Sequence, residues 1–373
     1  MVMYNPSKTT SYPSNKIDKG FRYHFLGGGQ EVGNIGCIIE DYTQTKLLFD
    51  YGLLPSKPPK YPAASPKINN AIITHAHIDH IGMVPWLNSS HNTKLHSTNF
   101  TSKISKLMWN DCYKISKIEG YPLPWDKKDI EESELAWNIH DYNMINELDD
   151  WSWCFRKAGH IPGSAMIDIQ TPQKKILITG DFDIRNSRLV EGAKPQKTDI
   201  LFMEGTYGGK NHPDRKEEEI RFLRNVEKVV ERGGTVLIPS FAMGRSQDVL
   251  MILADSDLDL EIHYDGMGKT ITKIMLEHKN ELLNPSKLEN IFSKVRKVSS
   301  KSDRKKALNA DVIVSTSGML DGGPAIWYLN RLRTDNRNAV FLTGYQAEGT
   351  GGRMLLEKGR LPIYGNITPI NLE

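Results

Sequence analysis

Residues 72–82 bring together four side chains of the kinds that bind metal ions. Three histidines and one aspartate, His75, His77, Asp79 and His80, fall within six consecutive positions. Imidazole nitrogens and carboxylate oxygens are, with thiolates, the ligands that zinc prefers. A surface turn would explain one such residue, but four at this spacing predict a metal site.

The apolar pattern around this cluster predicts a strand before it and a helix after it. Residues 71–73 form an apolar run, and Ile81, Val84 and Leu87 recur at helical spacing. Residues two apart in an extended backbone point the same way, so the first two histidines are expected to share one metal. The aspartate and the third histidine lie at the turn into the helix, which suits a second metal nearby. The helical H-E-x-x-H motif is absent, which argues against a zincin protease.

Further ligand-type side chains follow apolar strand patterns elsewhere in the chain. Asp50 ends a strand pattern, His160 lies in a turn, and Asp181 and Glu204 each follow an apolar run. Alone, each has a structural alternative, such as a capping histidine or a turn aspartate. Strand ends that carry ligands on short loops are how a rigid sheet holds a site, so His160 and Asp181 are expected to supply the missing ligands, and Glu204 repeats the pattern.

Length and composition are those of a globular chain with two domains, or with one domain that carries a large insertion. The 373 residues are 39% hydrophobic and 25% charged, with a net charge of +3 that does not by itself argue for nucleic acid. No apolar run approaches a membrane span, and the N-terminus lacks an apolar signal core. The three cysteines are odd in number and far apart, so a disulfide framework is not expected and a cytoplasmic location is predicted.

Residues 101–150 predict helices inserted after the metal-binding motif. Lysines recur along one helix face, and five of the seven tryptophans lie between Trp109 and Trp153. Aromatic and basic side chains together are typical of sites for single-stranded nucleic acid. The favoured alternative is a solvated lysine face over a tryptophan-rich core.

In the second half of the chain, strand and helix patterns alternate. Apolar strand patterns occur at 235–239, 261–264, 312–316 and 339–343, with helical patterns between them. This alternation predicts a mostly parallel sheet. The strongly basic run at 294–306 is interpreted as a solvated face or linker, with phosphate contact as the alternative.

Taken in order, these motifs resemble the metallo-β-lactamase superfamily and, within it, the β-CASP nucleases. The sequence Thr-His-Ala-His-Ile-Asp-His, followed by His160 and Asp181, resembles the metal-binding motifs of the superfamily. The segments that resemble β-CASP motifs are residues 203–208, 239–248, 317–320 and 343–350. The opening at 26–33 is similar to ribonuclease J, and the later motifs are similar to the cleavage subunit of the mRNA 3′-end processing complex. The resemblance runs from about residue 21 to the end of the chain.

The resemblance implies an α/β fold, a metallo-β-lactamase αββα sandwich with an inserted β-CASP domain that contains a parallel sheet. The expected divisions are a flexible tail at 1–20, a metallo-β-lactamase domain at 21–207, a β-CASP domain at 208–360 and, at 361–373, the start of the return to the first domain.

The resemblance also implies two zinc ions and hydrolysis of phosphodiester bonds in RNA, or less often DNA. The expected metal ligands are His75, His77 and His160 for one zinc, Asp79 and His80 for the other, and Asp181 for both. Asp50 is expected to orient this cluster through hydrogen bonds, and Asp79 and Glu204 are the expected catalytic residues. The expected substrate contacts are Arg245, Ser317, Gly318 and Gly344. The alternatives are tight turns for the glycines and an ion pair with Asp248 for Arg245.

Members of the family continue with later histidines, one thought to protonate the leaving group and another to complete the second zinc site. This chain has no histidine after His278, so we interpret it as truncated at its C-terminus, with the general acid unassigned. The predicted function is a zinc-dependent ribonuclease acting within RNA chains or from a 5′ end, with single-stranded RNA as the partner and a homo-oligomer left open. The alternative is a catalytically silent RNA-binding or scaffold paralogue of an RNA-processing complex.

Overall fold

The computed structural model describes residues 12–13, 15–370 and 372, and it divides into two compact units. The first unit comprises the described residues up to Asn186 together with Glu191–Thr206. The second comprises Ser187–Val190 and the described residues from Tyr207 onward. Most of the tail expected at 1–20 lies outside the described residues. In the described part of this tail, the Tyr12 hydroxyl donates a hydrogen bond to the Glu40 carboxylate.

The first unit is built on two β-sheets. Its strands are β1 (Phe21–Gly27), β2 (Gly36–Asp41), β3 (Lys46–Phe49), β4 (Asn70–Ile72), β5 (Lys94–Ser97), β6 (Trp137–Ile139), β7 (Asn146–Leu148), β8 (Trp151–Lys157), β9 (Ala165–Gln170), β10 (Lys175–Ile178) and β11 (Ile200–Phe202). Its helices are α1 (Ile78–Ile81), α2 (Val84–His91), α3 (Asn99–Glu119) and α4 (Lys127–Leu135).

These two sheets share one apolar core. The first has the strand order β1-β2-β3-β4-β5-β6, and the second has the order β11-β10-β9-β8-β7. Alternate residues of each strand meet in this core, for example Ile39 and Phe49 from the first sheet and Phe155 and Ile167 from the second. The strand β2 is buried along its whole length, as expected for a strand that is covered on both faces. The predicted sandwich is therefore confirmed.

The helices expected throughout residues 101–150 are present only in part. The chain is helical to Leu135, but residues 137–139 and 146–148 are the edge strands β6 and β7. Each extends a different sheet, β6 by parallel pairing with β5 and β7 by antiparallel pairing with β8. The prediction was wrong here because both strands are short and only partly buried, so they carry no clear alternation.

The second unit alternates helices and strands. Its strands are β12 (Val236–Pro239), β13 (Ile262–Asp265), β14 (Arg296–Lys297), β15 (Val312–Ser315), β16 (Ala339–Val340), β17 (Arg360–Ile363) and β18 (Asn366–Pro369). Its helices are α5 (Arg215–Glu231), α6 (Arg245–Leu253), α7 (Gly268–Glu277), α8 (Pro285–Lys294), α9 (Lys301–Lys306), α10 (Gly323–Leu332) and α11 (Gly351–Lys358), with 3-10 turns at Lys279–Glu281 and Ala307–Asn309.

The main sheet of this unit has the order β14-β13-β15-β12-β16, and each of its strand pairs is parallel. This confirms the parallel sheet predicted from the βα alternation. The hairpin of β17 and β18 differs from the expectation for 361–373, because Leu361 and Ile363 pack into the same core as Leu329 of the second unit. Apolar residues at alternate positions of β17 give this hairpin a face that must be covered, and α11 packs against it.

Two absences bear on the class of protein. In the described part of the chain, no helix is long and apolar enough to cross a membrane. All three cysteines lie among the described residues and are unpaired, which agrees with the expectation of no disulfide framework.

Candidate metal centre

Three imidazole nitrogens of the first unit face one another. His75 and His77 lie on the extended segment after β4, and His160 lies in the loop between β8 and β9. His77 Nδ1 is 3.0 Å from His75 Nε2 and 3.1 Å from His160 Nε2. The ligand atoms of these three residues and of Asp181 all lie within 4.8 Å of one another. Residues 83 positions apart in the chain therefore meet at a single point.

The electrostatics of this cluster suit a bound cation. Burial, followed by repulsion from His80, holds the pKa of His75 well below its ordinary value. Burial and then the neighbouring His160 lower the pKa of His77 to about 4. These lowered pKa values favour the uncharged rings at neutral pH, the form in which an imidazole nitrogen can bind a metal. A tetrahedral zinc with bonds of about 2.0–2.1 Å would place its nitrogen ligands about 3.3 Å apart, so the donor set fits this metal.

Asp181 lies between the three histidines and His80. Its Oδ2 atom is 3.6 Å from His160 Nε2 and 3.9 Å from His75 Nε2, and its Oδ1 atom is 3.3 Å from His80 Nε2. Asp79 Oδ2 is 3.9 Å from the same nitrogen of His80. One carboxylate thus faces both groups of ligands, which is the arrangement that a bridging residue requires.

His80 is held by a buried carboxylate on its other side. Asp50 Oδ2 lies 2.8 Å from His80 Nδ1, and Asp50 also accepts hydrogen bonds from the backbone N–H and the hydroxyl of Thr74 at 2.7 and 2.8 Å. A hydrogen bond from Nδ1–H to Asp50 leaves the lone pair of Nε2 available to a metal. Burial lowers the pKa of His80, but attraction by Asp181, Asp50 and Asp79 outweighs it, so that this pKa is well above its ordinary value.

The turn that carries Asp79 and His80 is fixed by its backbone carbonyls. The carbonyl of Ile78 accepts from Leu53 N–H at 3.1 Å. The carbonyls of Asp79 and His80 accept from Ile35 and Tyr51 N–H at 2.9 and 2.8 Å. The last two carbonyls, of Ile81 and Gly82, accept from the indole N–H groups of Trp109 and Trp125, each at 2.8 Å. A single helical turn leaves the carbonyls from Asp79 to Gly82 without helical partners, so the surrounding residues supply the donors.

Glycines allow the chain to approach this turn closely. A Cβ atom at Gly52 would lie 1.6 Å from the Asp79 carbonyl oxygen, so no other residue fits there. Gly33 has a φ of +85°, and a Cβ atom at that position would lie 3.5 Å from Asp79 Cβ. The glycine-rich segment that follows β1 is therefore part of the wall of the site rather than a nucleotide-binding loop.

The remaining predicted residue of the first unit, Glu204, follows β11. That strand is parallel to β10, which leads to Asp181. The Glu204 carboxylate accepts a hydrogen bond from the Thr206 N–H at 2.9 Å, and the Glu204 N–H donates to the Thr179 hydroxyl at 3.3 Å. Its predicted catalytic role stays a prediction.

The four predicted substrate contacts lie in the second unit, on loops after the strands of its parallel sheet. Arg245 Nη1 lies 3.3 Å from Asp248 Oδ2, which is the alternative that the sequence left open. Cβ atoms at Gly318 and Gly344 would lie 2.7 and 2.8 Å from atoms of Phe241, so both glycines are in close packing. Ser317 Oγ accepts a hydrogen bond from the Asp321 N–H at 3.3 Å. Contact between these residues and a substrate stays a prediction.

The tryptophan-rich region forms a core rather than an open aromatic surface. Trp109, Trp125, Trp151 and Trp153 are each at most 4% exposed, and Trp137 stacks on Trp109 with ring centroids 6.0 Å apart. The favoured alternative from the sequence is therefore supported. No local pattern indicates that Thr74, Trp109 and Trp125 support the site, because their contacts depend on the packing of distant segments.

Comparisons with known proteins agree with this geometry. A model of the Beta-Casp domain matches residues 246–355. The chain is similar to the Probable RNase MJ4 of Methanocaldococcus jannaschii, with 37% identity over 363 residues that cover 94% of this chain and 85% of that protein. It is also similar to the RNase aCSPSF2 of Saccharolobus solfataricus, with 36% identity over 93% of this chain and 72% of that protein.

A third relative is the Transcription termination factor FttA of Methanocaldococcus jannaschii. The identity is 32%, and the match covers 90% of this chain but 58% of that protein. The similarity to the first two relatives extends along most of both sequences, and it agrees with the fold of both units. The chain therefore belongs to the β-CASP family of metallo-β-lactamase-fold proteins.

Proposed function

We propose that this protein is a zinc-dependent ribonuclease that hydrolyses phosphodiester bonds of single-stranded RNA. The observation that carries the proposal is the set of three facing imidazole nitrogens, with Asp181 between them and His80. Two of the relatives bear names that describe ribonucleases, which supports the same substrate class. The scaffold alternative would predict lost ligand residues, whereas the six expected ones are all present in the sequence: His75, His77, Asp79, His80, His160 and Asp181.

The expected ligands divide into two sets. His75, His77 and His160 would hold one zinc, Asp79 and His80 the other, and Asp181 would contact both. When bound, two such ions lower the pKa of a bound water and stabilise the charge that develops on the attacking and leaving oxygens. The chain supplies the geometry, since Asp50 and Thr74 fix His80 and the backbone of α1 fixes Asp79.

The accessible side of the cluster indicates where a phosphate would enter. The side chains of His75 and His80 are 0% and 2% exposed, whereas those of Asp79, Asp181 and His160 are 29–31% exposed. A scissile phosphate would therefore approach these last three residues. Asp79 combines exposure with a fixed backbone, so we assign it the role of orienting the attacking oxygen and receiving its proton. Glu204 is proposed as a second catalytic carboxylate.

Arg245 is the proposed phosphate contact of the second unit. Its partner Asp248 already accepts a hydrogen bond from Arg215 Nη2 at 2.5 Å, so Arg245 is the more distant of two cations on one carboxylate. Its side chain is 39% exposed and can exchange Asp248 for an RNA phosphate at low cost. Ser317 and the backbone at Gly318 and Gly344 are proposed to lie along the same RNA, in loops at the carboxyl ends of the strands.

The test combines metal content with cleavage. The purified chain is loaded with zinc, the metal per chain is measured by mass spectrometry, and cleavage of a 5′-labelled single-stranded RNA is followed with and without a chelator. We expect about two zinc ions per chain, cleavage that the chelator abolishes, and restoration by zinc. A circular RNA of the same sequence distinguishes internal cleavage from cleavage at the 5′ end. A DNA of the same sequence tests whether the protein distinguishes ribose from deoxyribose.

His278→Ala is the matched control, because this histidine lies outside the cluster, in the second unit, where its Nδ1–H donates to the Ile274 carbonyl at 2.9 Å. It should retain both zinc content and cleavage. A protein that binds zinc yet leaves both RNA and DNA intact would contradict the proposal.

A further inference from the structure

The positive charge of this chain is concentrated in one short segment. Residues 294–306 contain seven lysines and arginines and one aspartate, a net charge of +6. The whole chain carries a net charge of +3, so the remainder is net negative. A polyanion attracted to this protein by long-range electrostatics would therefore be drawn to this segment first.

The fold presents this segment to solvent. It forms β14, which is the edge strand of the parallel sheet, and then α9, which has no buried residue. The single acid, Asp303, accepts hydrogen bonds from the N–H groups of Ser299 and Ser300 and caps the helix. Lys301, Lys305 and Lys306 are exposed, and no carboxylate of the described residues lies within ion-pair distance of them.

A stacked arginine on α10 borders the same surface. The Arg331 guanidinium carbon lies 3.7 Å from the centroid of the Trp327 ring, and Arg304 of α9 lies 5.8 Å from the same centroid. Arg304 is neutralised by buried Asp265 at 2.8 Å, whereas Arg331 has no acidic partner among the described residues. Stacking orders the Arg331 side chain in advance, so less conformational entropy is lost when it binds a phosphate.

We propose that Lys301, Lys305, Lys306 and Arg331 form an RNA-backbone surface that binds the phosphates of single-stranded RNA outside the metal centre. The identity of the polyanion rests on the proposed function. The lysine face of α3, which the sequence analysis considered as a site for single-stranded nucleic acid, is a weaker candidate. Its Lys106 pairs with Glu134 of the neighbouring acidic helix α4 at 2.5 Å, and Lys117 lies over the Tyr113 ring.

The test compares the two basic helices directly. Binding of a fluorescein-labelled 20-nucleotide oligo(U) is measured by anisotropy between 50 and 250 mM KCl, in a His77→Ala background so that RNA is not cut. The triple variant Lys301→Gln/Lys305→Gln/Lys306→Gln should raise Kd about tenfold and reduce the slope of log Kd against log salt by about 2, at about 0.7 per phosphate contact. Arg331→Gln should raise Kd about threefold.

The matched control is the triple variant Lys103→Gln/Lys114→Gln/Lys117→Gln on α3, which should leave affinity and salt slope unchanged. Equal losses in the two triple variants, or none in the first, would overturn the proposal. So would competition by polyglutamate as strong as that by unlabelled RNA, which would assign the surface to acidic proteins. Because binding is measured without cleavage, an uncut RNA in the wild type would contradict the proposed function but leave this surface standing.

A different observation carries a second inference, about the turn that holds Asp79 and His80. The helix α1 has four residues, and a helix this short is not stable alone. Its final carbonyls, of Ile81 and Gly82, accept hydrogen bonds from Trp109 and Trp125, whose side chains are 0% and 3% exposed. Each buried indole thus donates its single N–H to the turn that carries Asp79 and His80. Loss of such a bond would be costly, because a buried N–H without a partner is destabilising.

We infer that Trp109 and Trp125 are positioning residues that hold Asp79 and His80 in the geometry for the second metal. This inference rests on the proposed two-zinc site. Trp109→Phe removes the donor while keeping an aromatic ring. Trp137→Phe is the matched control, since Trp137 stacks on Trp109 but its own indole N–H has no partner among the described residues.

Zinc affinity of the two sites is measured by competition with a chromophoric chelator. Trp109→Phe should weaken the second zinc about tenfold and leave the first unchanged, whereas Trp137→Phe should bind as the wild type does. In the metal-free protein, amide hydrogen exchange at Tyr51, which donates to the His80 carbonyl, should be faster in Trp109→Phe alone. Identical zinc binding and identical hydrogen exchange in the two variants would overturn the inference. If the wild type bound no zinc, but exchange at Tyr51 were still faster in Trp109→Phe than in Trp137→Phe, only the proposed function would be contradicted.

Discussion

The loops at the carboxyl ends of the strands differ between the two units. In the first unit, the loops after β4, β8 and β10 bring His77, His160 and Asp181 together with their lone pairs and carboxylate oxygens facing each other. In the second unit, the loops after β12, β15 and β16 are packed around Phe241, and polar groups there pair with one another. One set of loops gathers ligand-type side chains, and the other is occupied mainly by packing contacts.

This difference distinguishes residues that could bind a metal from residues that are needed for packing. Imidazole nitrogens and carboxylate oxygens that converge on one point form the donor set of a metal ion. The requirement for glycine at 318 and 344 in the second unit is explained by packing against Phe241. The comparison predicts that substitutions in the first unit remove metal and catalysis, whereas substitutions of packed glycines in the second unit remove stability.

The largest effect is expected from His160→Ala. It removes one of the three facing nitrogens, so the zinc content should fall from about two to about one per chain. Cleavage of RNA should fall about thousandfold, since the loss of several kcal/mol of metal-supplied stabilisation is amplified tenfold per 1.4 kcal/mol. Metal analysis and single-turnover cleavage check this. Retained cleavage with one zinc lost would break the link between this cluster and catalysis.

A smaller effect is expected from Asp50→Asn. The amide keeps the shape but offers a weaker acceptor to the His80 Nδ1–H, so the orientation of His80 is relaxed. Zinc affinity at the second site should fall about 10- to 100-fold, the usual cost of losing a carboxylate behind a ligating histidine. Titration with a competing chelator measures it. The first site, whose three histidines have no direct contact with Asp50 among the described residues, should bind nearly as before, and an equal loss at both sites would indicate a folding defect instead.

Gly318→Ala tests the packed loops of the second unit. The added Cβ would lie 2.7 Å from the backbone nitrogen of Phe241, so the loop must shift, at a cost of about 1–3 kcal/mol in the free energy of unfolding. Zinc content should not change. Gly322→Ala is the control, because a Cβ there meets nothing within 4 Å and its φ of 166° is open to any residue. Thermal unfolding of both variants decides whether packing explains this glycine.

The smallest expected effect concerns pH and a second histidine pair of the first unit. Burial, then repulsion by His140 and Lys94, lowers the pKa of His96 from about 6.5 to about 4. As pH falls below 6.5 the unfolded chain gains a proton that the folded chain does not, so stability is full above 6.5 and is lost towards pH 4. For one such group the loss is about 1–2 kcal/mol at pH 5.

Thermal unfolding of the metal-free protein at pH 7, 6 and 5 measures this loss. His96→Gln keeps a polar side chain next to Asn70 and should flatten the dependence. An unchanged slope in that variant would assign the pH dependence to other groups, such as the cluster histidines.

Much of the candidate site was predictable because its ligands follow apolar runs in a recognisable order. The spacing of His75, His77, Asp79 and His80 predicted a metal site, and the motifs further along the chain added His160 and Asp181. The parallel sheet of the second unit was predictable from strong, regular alternation. The short edge strands β6 and β7 were not, since a strand of three residues has too little pattern of its own.

The amino-acid sequence by itself determined which residue types and local elements are available: the ligand cluster, the strands that precede it, the βα series and the basic run. Only the tertiary structure decided which of them meet. The donation of Trp109 and Trp125 to the carbonyls of α1, and of Thr74 to Asp50, joins segments whose separation in the chain carries no local signal. Local spacing determines the direction of a side chain, but the partner that it reaches depends on how distant elements pack, and packing is a property of the whole core.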